Sequence, residues 1–181
     1  MIASLKARVL IIVGFVALLW GVEAVDLFTG HALDNLGALH PRTSIGLAQI
    51  LTAPFLHLGL MHLVSNTVAF VPLAALMLLQ GAFWPVLLVS MVVGGLGTWV
   101  FSLTPSLGFS GVLFGFMGFL LARGLYTRQP LALGLSLLTF SWFSGSVWMG
   151  LVPQAGISWA GHFWGFVGGV MSAKLLPVRK D

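Results

Sequence analysis

The residue of this chain best suited to covalent chemistry is a serine between glycines, in the stretch Gly108-Phe109-Ser110-Gly111. The stretch stands where a polar loop gives way to an apolar run, so a helix that begins there would expose the hydroxyl. A serine hydroxyl is a weak nucleophile and needs an adjacent base, for which histidine is the usual choice. Taken alone, the motif also fits plain helix packing, because small residues are common where membrane helices approach each other.

Three further polar residues complete a possible acyl-transfer site. His162 follows Gly161 directly, and it is the candidate base that takes the proton of Ser110 and returns it to the leaving amine. His62 and Asn66 are four residues apart and share one face of a helix. Their side chains, with the backbone N–H of Ser110, are candidate donors to a developing oxyanion. Hydrogen bonding between helices for stability is the alternative for His62 and Asn66.

The sequence offers His162 no carboxylate partner. No Asp or Glu occurs between Asp34 and Asp181, so a Ser-His dyad is favoured over a triad. Packing must then orient the imidazole, and Phe114, one turn after Ser110, is a candidate ring to stack on it. Of the other histidines, His57 is expected to brace the first loop.

Composition identifies a membrane protein. Of 181 residues, 59% are hydrophobic and 7% charged, with a mean hydropathy of +1.06. No charged residue occurs between Arg42 and Arg123 or between Arg128 and Lys174. The net charge of +4 reflects topology rather than a nucleic-acid surface, so the expected partner is the lipid bilayer. Without cysteine, disulfides and thiolate metal sites are excluded, and neither a cofactor nor a metal site is predicted.

The apolar runs predict an all-α bundle of six transmembrane helices. The first run could also be a signal peptide, but its removal would leave an odd number of spans, which favours an uncleaved helix. Residues 26–57 are too polar to span and are expected in the membrane interface, with His31 and His40 on the solvent side. The predicted helices are 9–25, 58–80, 82–101, 110–122, 130–151 and 158–176.

Basic residues set the expected orientation. With both termini in the cytoplasm, only Arg42 lies outside, in agreement with the positive-inside rule. The basic residues then on the inner side are Lys6, Arg8, Arg123, Arg128, Lys174, Arg179 and Lys180.

The predicted fourth helix is short. Ser110 and Arg123 are 13 residues apart, about 20 Å along a helix, against a hydrocarbon thickness of about 30 Å. Its outer end should therefore begin inside the bilayer, with Ser110 at the floor of a watery cavity. His162 lies 12 residues before Lys174, which places it at a similar depth.

Small residues predict that the fourth and sixth helices touch. They recur at three- or four-residue spacing, which puts them on one face of each helix and lets the backbones approach closely. The glycines are Gly111, Gly115 and Gly118 on the fourth helix and Gly161, Gly165 and Gly169 on the sixth.

Three segments together resemble the rhomboid intramembrane serine proteases, over nearly the whole chain from Leu47 onward. They are His57-x4-His62-x3-Asn66, Gly108-x-Ser110-Gly111-x3-Gly115 and Gly161-His162-x2-Gly165-x3-Gly169. The resemblance implies one six-helix domain over residues 1–181, with Ser110 as nucleophile, His162 as base, and His62, Asn66 and the Ser110 amide as oxyanion hole.

The resemblance further implies single-span membrane protein substrates and, as in compact prokaryotic members, a location in the bacterial inner membrane. Ala48-Gln49 stands where many relatives carry Trp-Arg, so the anchoring of the first loop is expected to differ. Bulky side chains of the fifth helix, Trp142, Phe143 and Trp148, are candidates for a lateral substrate gate.

Three other functions are alternatives for this sequence. A catalytically silent rhomboid-like protein that binds membrane clients would typically lack the serine or the histidine. A zinc intramembrane protease lacks support, because the chain has five histidines but no His-Glu-x-x-His motif and no carboxylate in the later spans. A transporter or channel would be expected to carry intramembrane charges or matched broken helices.

Overall fold

The computed structural model describes residues 4–153 and 157–177, and all regular structure within them is helical. Arg179 and Lys180, two of the basic residues assigned to the inner side, lie outside the described residues. The helices are α1 (Leu5–Phe28), α2 (Ala32–Gly37), α3 (Ser44–Gln49), α4 (Leu60–Gln80), α5 (Phe83–Phe101), α6 (Ser110–Thr127), α7 (Pro130–Leu151) and α8 (Trp159–Leu175), with a 3₁₀ turn at Ala53–Phe55.

The all-helical membrane architecture is confirmed. Five helices in the described part of the chain, α1, α4, α5, α6 and α7, are long and apolar enough to cross a membrane. The sixth predicted span corresponds to α8, which has 17 residues and is shorter than these five. A count of six spans, and the orientation of the termini, remain predictions.

Helix α6 is longer than predicted, because Arg123 does not mark its end. The helix continues to Thr127, five residues past the expected end at Ala122, so its 18 residues span about 27 Å. The guanidinium of Arg123 is buried and donates hydrogen bonds to the carbonyls of Ala173, Leu176 and Pro177 at 2.7–2.8 Å. A charge that was expected to mark the membrane boundary instead caps the end of α8, and the depth of Ser110 in the bilayer stays a prediction.

Helix α6 lies at the centre of the bundle, in contact with α4, α5, α7 and α8. Its contact with α8 joins backbone to backbone, as the glycine spacing predicted. A Cβ atom added at Gly165 would collide with the carbonyl oxygen of Gly111, and one added at Gly169 with that of Gly115. This contact brings the first turns of α6 and α8 together.

Gln49, one of the two residues expected to change how the first loop is anchored, is the residue that anchors it. Its side chain is 5% exposed, donates to the Leu36 carbonyl at 2.8 Å and accepts the backbone N–H of His40 at 3.0 Å. The indole of Trp99 on α5 donates to the Thr43 carbonyl at 2.8 Å. The loop is therefore folded on itself and fastened to the end of α5.

The three candidate gate residues on α7 differ in their surroundings. Phe143 packs, partly buried, against the main hydrophobic core. Trp142 and Trp148 are 57% and 73% exposed and face away from the bundle. Substrate entry beside α7 stays a prediction.

Candidate active site

Ser110 is the first residue of α6, and a hydrogen bond to the first loop holds the backbone before it. Gly108 adopts a φ of +122°, which favours glycine, and its N–H donates to the Ala53 carbonyl at 2.9 Å. The first N–H groups of a helix have no partner within the helix. The amide of Ser110 therefore lies at a position where a backbone donor is free to meet an anion.

His162, in the first turn of α8, contacts the serine directly. Its Nε2 lies 2.8 Å from Ser110 Oγ, and its Nδ1 lies 3.0 Å from the Gly150 carbonyl oxygen. A carbonyl can only accept, so Nδ1 carries the proton of the neutral ring and Nε2 is left to accept from the serine hydroxyl. This is the tautomer that a base acting on Ser110 requires.

Phe114 holds the plane of this imidazole. The two rings stack with centroids 4.2 Å apart and an angle of 6° between their planes. This confirms the stacking expected from the position of Phe114 one turn after Ser110. His162 is only 9% exposed, so the ring is fixed by a hydrogen bond along one edge and by a face-to-face contact.

His62 lies against the loop that leads to Ser110. Its Nδ1 accepts the N–H of Leu58 at 3.3 Å, which leaves the proton of the neutral ring on Nε2. A Cβ atom added at Gly108 would stand 2.6 Å from Cε1 and 2.9 Å from Nε2 of this ring. The donor edge of His62 thus lies beside the backbone two residues before Ser110, and Gly108 is needed both for its φ and for this close approach.

Asn66 lies one turn after His62 on α4 and is 4% exposed. Its side-chain Nδ2 donates to the His62 carbonyl at 3.1 Å, not to Ser110. An amide nitrogen has two hydrogens, so one donor remains after this bond. Asn66 is therefore hydrogen-bonded to His62, whereas Ser110 is hydrogen-bonded to His162.

His57, in the loop just before α4, packs against His62. It is fully buried, and its ring meets that of His62 edge to face with centroids 5.2 Å apart. Burial, with a smaller effect of His62, lowers the pKa of His57 to about 4. At neutral pH, His57 is an uncharged packing partner of His62.

A cavity of about 50 Å³ opens beside the serine and histidine, large enough to hold water. Polar side chains of α5 and of the loops before α6 and α8 line it, and the buried hydroxyl of Ser90 has no hydrogen-bond partner. Ser158 donates to Ser106 at 3.0 Å across this space. The cavity therefore has room for water beside His162.

Two features of the structure were not predicted from the sequence. The first is the Gly150 carbonyl, because a backbone acceptor on another helix leaves no trace in a motif. The second is a cluster of Asp26, His31 and Asp34, in which His31 contacts Asp26 at 2.8 Å, although the sequence placed His31 simply in solvent. The spacing Asp-x4-His-x2-Asp was the available signal.

Comparison with known proteins shows the family to which this chain belongs. A family model described as the rhomboid domain matches residues 46–178. Uncharacterized proteins of Mycobacterium tuberculosis and Mycobacterium leprae are each 37% identical to this chain over 93% of its length, covering 76% and 72% of their own. Rhomboid protease GluP of Bacillus subtilis is 29% identical over 73% of this chain and 26% of its own length. Since the family model covers well over half of the residues, this membrane protein belongs to the rhomboid family.

Proposed function

We propose that the protein is an intramembrane serine endopeptidase in which Ser110 and His162 form the catalytic dyad. The observation that carries the proposal is the chain of hydrogen bonds from Ser110 Oγ to His162 and from His162 to the Gly150 carbonyl. These contacts give His162 the tautomer that a base needs and align its Nε2 with the hydroxyl of Ser110, which supports this choice of base and nucleophile. The name of the Bacillus relative, a rhomboid protease, supports proteolysis as the activity.

Acylation begins when Ser110 Oγ attacks the carbonyl carbon of the scissile peptide bond and its proton moves to His162 Nε2. The Gly150 carbonyl stabilises the imidazolium through Nδ1–H, as a neutral substitute for a carboxylate. The C–N bond then breaks, and Nε2–H protonates the leaving amine. An acyl ester on Ser110 remains, and His162 is again neutral.

The oxyanion of the tetrahedral intermediate is stabilised by three donors in this proposal. They are the backbone N–H of Ser110, the Nε2–H of His62 and the second amide hydrogen of Asn66. The tautomer of His62 supports its part, because Leu58 occupies Nδ1 and leaves the donor at Nε2. Removing one such donor typically lowers kcat by about 10²–10³-fold.

Deacylation uses water from the cavity beside His162. His162 takes a proton from that water, the resulting hydroxide attacks the acyl carbon, and the ester bond to Ser110 breaks as the proton returns to Oγ. The Ser90, Ser106 and Ser158 hydroxyls in the lining offer water the partners that it needs at a buried site.

The proposed substrates are transmembrane segments of single-span membrane proteins, the class that the resemblance to rhomboid proteases implies. A substrate helix would have to unwind to expose a peptide bond to Ser110. We place the site toward the outer side of a bacterial inner membrane, within one domain of six spans and with both termini in the cytoplasm, because that orientation puts most basic residues inside.

Cleavage of a single-span test substrate in liposomes tests this function. Native protein is compared with Ser110→Ala, His162→Ala and His62→Ala, each checked for folding by thermal unfolding. We expect the first two variants to lose cleavage and His62→Ala to lose about 10²–10³-fold in kcat with a smaller change in KM.

The main alternative is a catalytically silent rhomboid-like protein that binds membrane clients. It predicts that folded native protein binds the substrate without cutting it, and that Ser110→Ala binds equally well. The hydrogen-bonded serine and histidine argue against it, since a silent protein has no use for either side chain in this tautomer and alignment.

A further inference from the structure

Three side chains that the proposed mechanism does not use meet between the end of α1 and the start of α2. Asp26 Oδ2 lies 2.8 Å from His31 Nδ1, which lies 3.9 Å from Asp34 Oδ2. Ligand atoms of all three residues lie within 4.8 Å of one another. Atoms that bind one metal ion at about 2.0–2.4 Å are themselves about 3–4 Å apart, so the three side chains need only small movements to share an ion.

Unpartnered carboxylate oxygens are a second observation that points to a ligand. Asp34 is 8% exposed, and its buried Oδ1 has no hydrogen-bond partner. Glu23, three residues before Asp26 on the same face of α1, is 2% exposed, and neither of its carboxylate oxygens has a partner. Buried polar atoms are nearly always partnered in folded proteins, so these oxygens call for a partner that the neighbouring side chains do not supply.

The neighbouring side chains do not supply enough positive charge. In the described ranges 4–153 and 157–177, no Lys or Arg pairs with Glu23, Asp26 or Asp34, and His31 is the one ion-pair partner of the two aspartates. Holding these carboxylates together as anions is therefore costly unless a cation joins them.

We propose that Asp26, His31 and Asp34 bind one divalent transition-metal cation, with Glu23 as an adjacent carboxylate. One imidazole nitrogen among carboxylate oxygens suits Zn²⁺ better than Ca²⁺ or Mg²⁺, which prefer oxygen ligands alone. The ligand face of Asp26 is already oriented, because its Oδ1 accepts the N–H groups of Leu33 at 2.8 Å and Asp34 at 3.0 Å. The ion ties α1 to α2 and so fastens the first loop to the bundle.

Equilibrium dialysis of the full-length protein in detergent against Zn²⁺, after treatment with a chelator, tests the proposal. The variants are His31→Asn, which suits the φ of 64° at this position, and Asp34→Asn, which keeps the shape of the side chain. His40→Ala is the matched control, a first-loop histidine outside the cluster. We expect one Zn²⁺ per native chain, about 10–100-fold weaker binding in both cluster variants and unchanged binding in the control.

Thermal unfolding gives a second readout that does not depend on proteolysis. Zn²⁺ should raise the Tm of the native protein and of Ser110→Ala, because an ion that binds only the folded state stabilises it. It should not raise the Tm of His31→Asn.

Three outcomes would overturn the proposal. Equal Zn²⁺ binding by the native protein and both cluster variants would place the ion elsewhere, such as at the histidines near Ser110. Binding of Ca²⁺ with equal affinity by native protein and His31→Asn would remove the imidazole from the ligand set. The absence of binding by any divalent ion would mean that protons neutralise the carboxylates. None of these results bears on whether Ser110 cleaves substrates.

Discussion

At the scale of single residues, His162 is notable because no acidic residue orients it. Its Nδ1–H points to the Gly150 carbonyl, and its face rests on Phe114. A neutral carbonyl stabilises an imidazolium less than a carboxylate does, so the fixed geometry of the ring carries more of the proposed catalysis. The residues that hold that geometry are therefore as informative as the dyad itself.

Phe114→Leu tests this dependence on ring geometry. Loss of the stacked ring lets the imidazole tilt, and we expect kcat for a membrane substrate to fall about 10–100-fold. Phe116→Leu is the matched control, because Phe116 is fully buried on the same helix and its truncation also loosens the core. Both variants should lose about 1–2 kcal/mol of stability. Equal kcat values for the two variants, corrected for folded fraction, would contradict a positioning role.

His57 makes the stability of the protein depend on pH. Burial lowers its pKa from 6.5 to about 4. Between pH 6.5 and pH 4, His57 is therefore protonated in the unfolded chain and neutral in the folded chain. The contribution of neutral His57 is therefore fully present above pH 6.5 and is lost as the pH falls toward 4, by up to roughly 3 kcal/mol. Unfolding midpoints in denaturant from pH 7 to 4 should fall less steeply for His57→Phe than for the native protein, and identical slopes would contradict this account.

At this scale, the sequence predicted residue types better than contacts. The motifs pointed to Ser110 and His162, and the one-turn offset predicted that Phe114 would stack on the histidine. Neither the acceptor at Gly150 nor the tautomers of the histidines could be predicted, because they depend on backbone atoms brought in from other helices.

At the scale of elements, the contact between α6 and α8 fixes the distance from serine to histidine. The two helices touch through glycine backbones, and Ser110 and His162 each lie beside a glycine of that contact. Glycine spacing in the sequence was enough to predict this contact. The true end of α6 was not predictable in the same way, since a charged Arg123 ordinarily lies at the membrane surface rather than capping a neighbouring helix.

Gly165→Ala tests the α6–α8 contact. Alanine favours helix by up to about 1 kcal/mol over glycine, but its methyl group would strike the Gly111 carbonyl, and such overpacking costs about 1–3 kcal/mol. We expect a lower Tm in detergent and a loss of cleavage greater than the loss of folded protein, because the helices separate beside the dyad.

Gly134→Ala on α7 is the matched control, since the added methyl group meets no atom within 4 Å. Its Tm should stay the same or rise slightly. A Gly165→Ala protein as stable and active as Gly134→Ala would show that the glycine contact does not set the geometry of the site.

At the scale of the whole molecule, polar chemistry is concentrated in a few places within an apolar bundle. Hydropathy alone predicted the membrane class, and five described helices have the length and composition of spans. The first loop was less predictable, because short helices such as α2 and α3 are held by individual bonds like those of Gln49 rather than by a periodic pattern. The same holds for the cluster of Asp26, His31 and Asp34, which forms only after α1 and α2 have packed.

The central claim is that His162 makes Ser110 a nucleophile, and covalent labelling tests it most directly. Native protein, Ser110→Ala and His162→Ala are incubated with a fluorophosphonate, and intact-protein and peptide mass spectrometry locate the adduct. We predict one adduct on Ser110 of the native protein and none on either folded variant. Labelling of His162→Ala at the native rate, or a folded native protein that takes no label, would contradict the account.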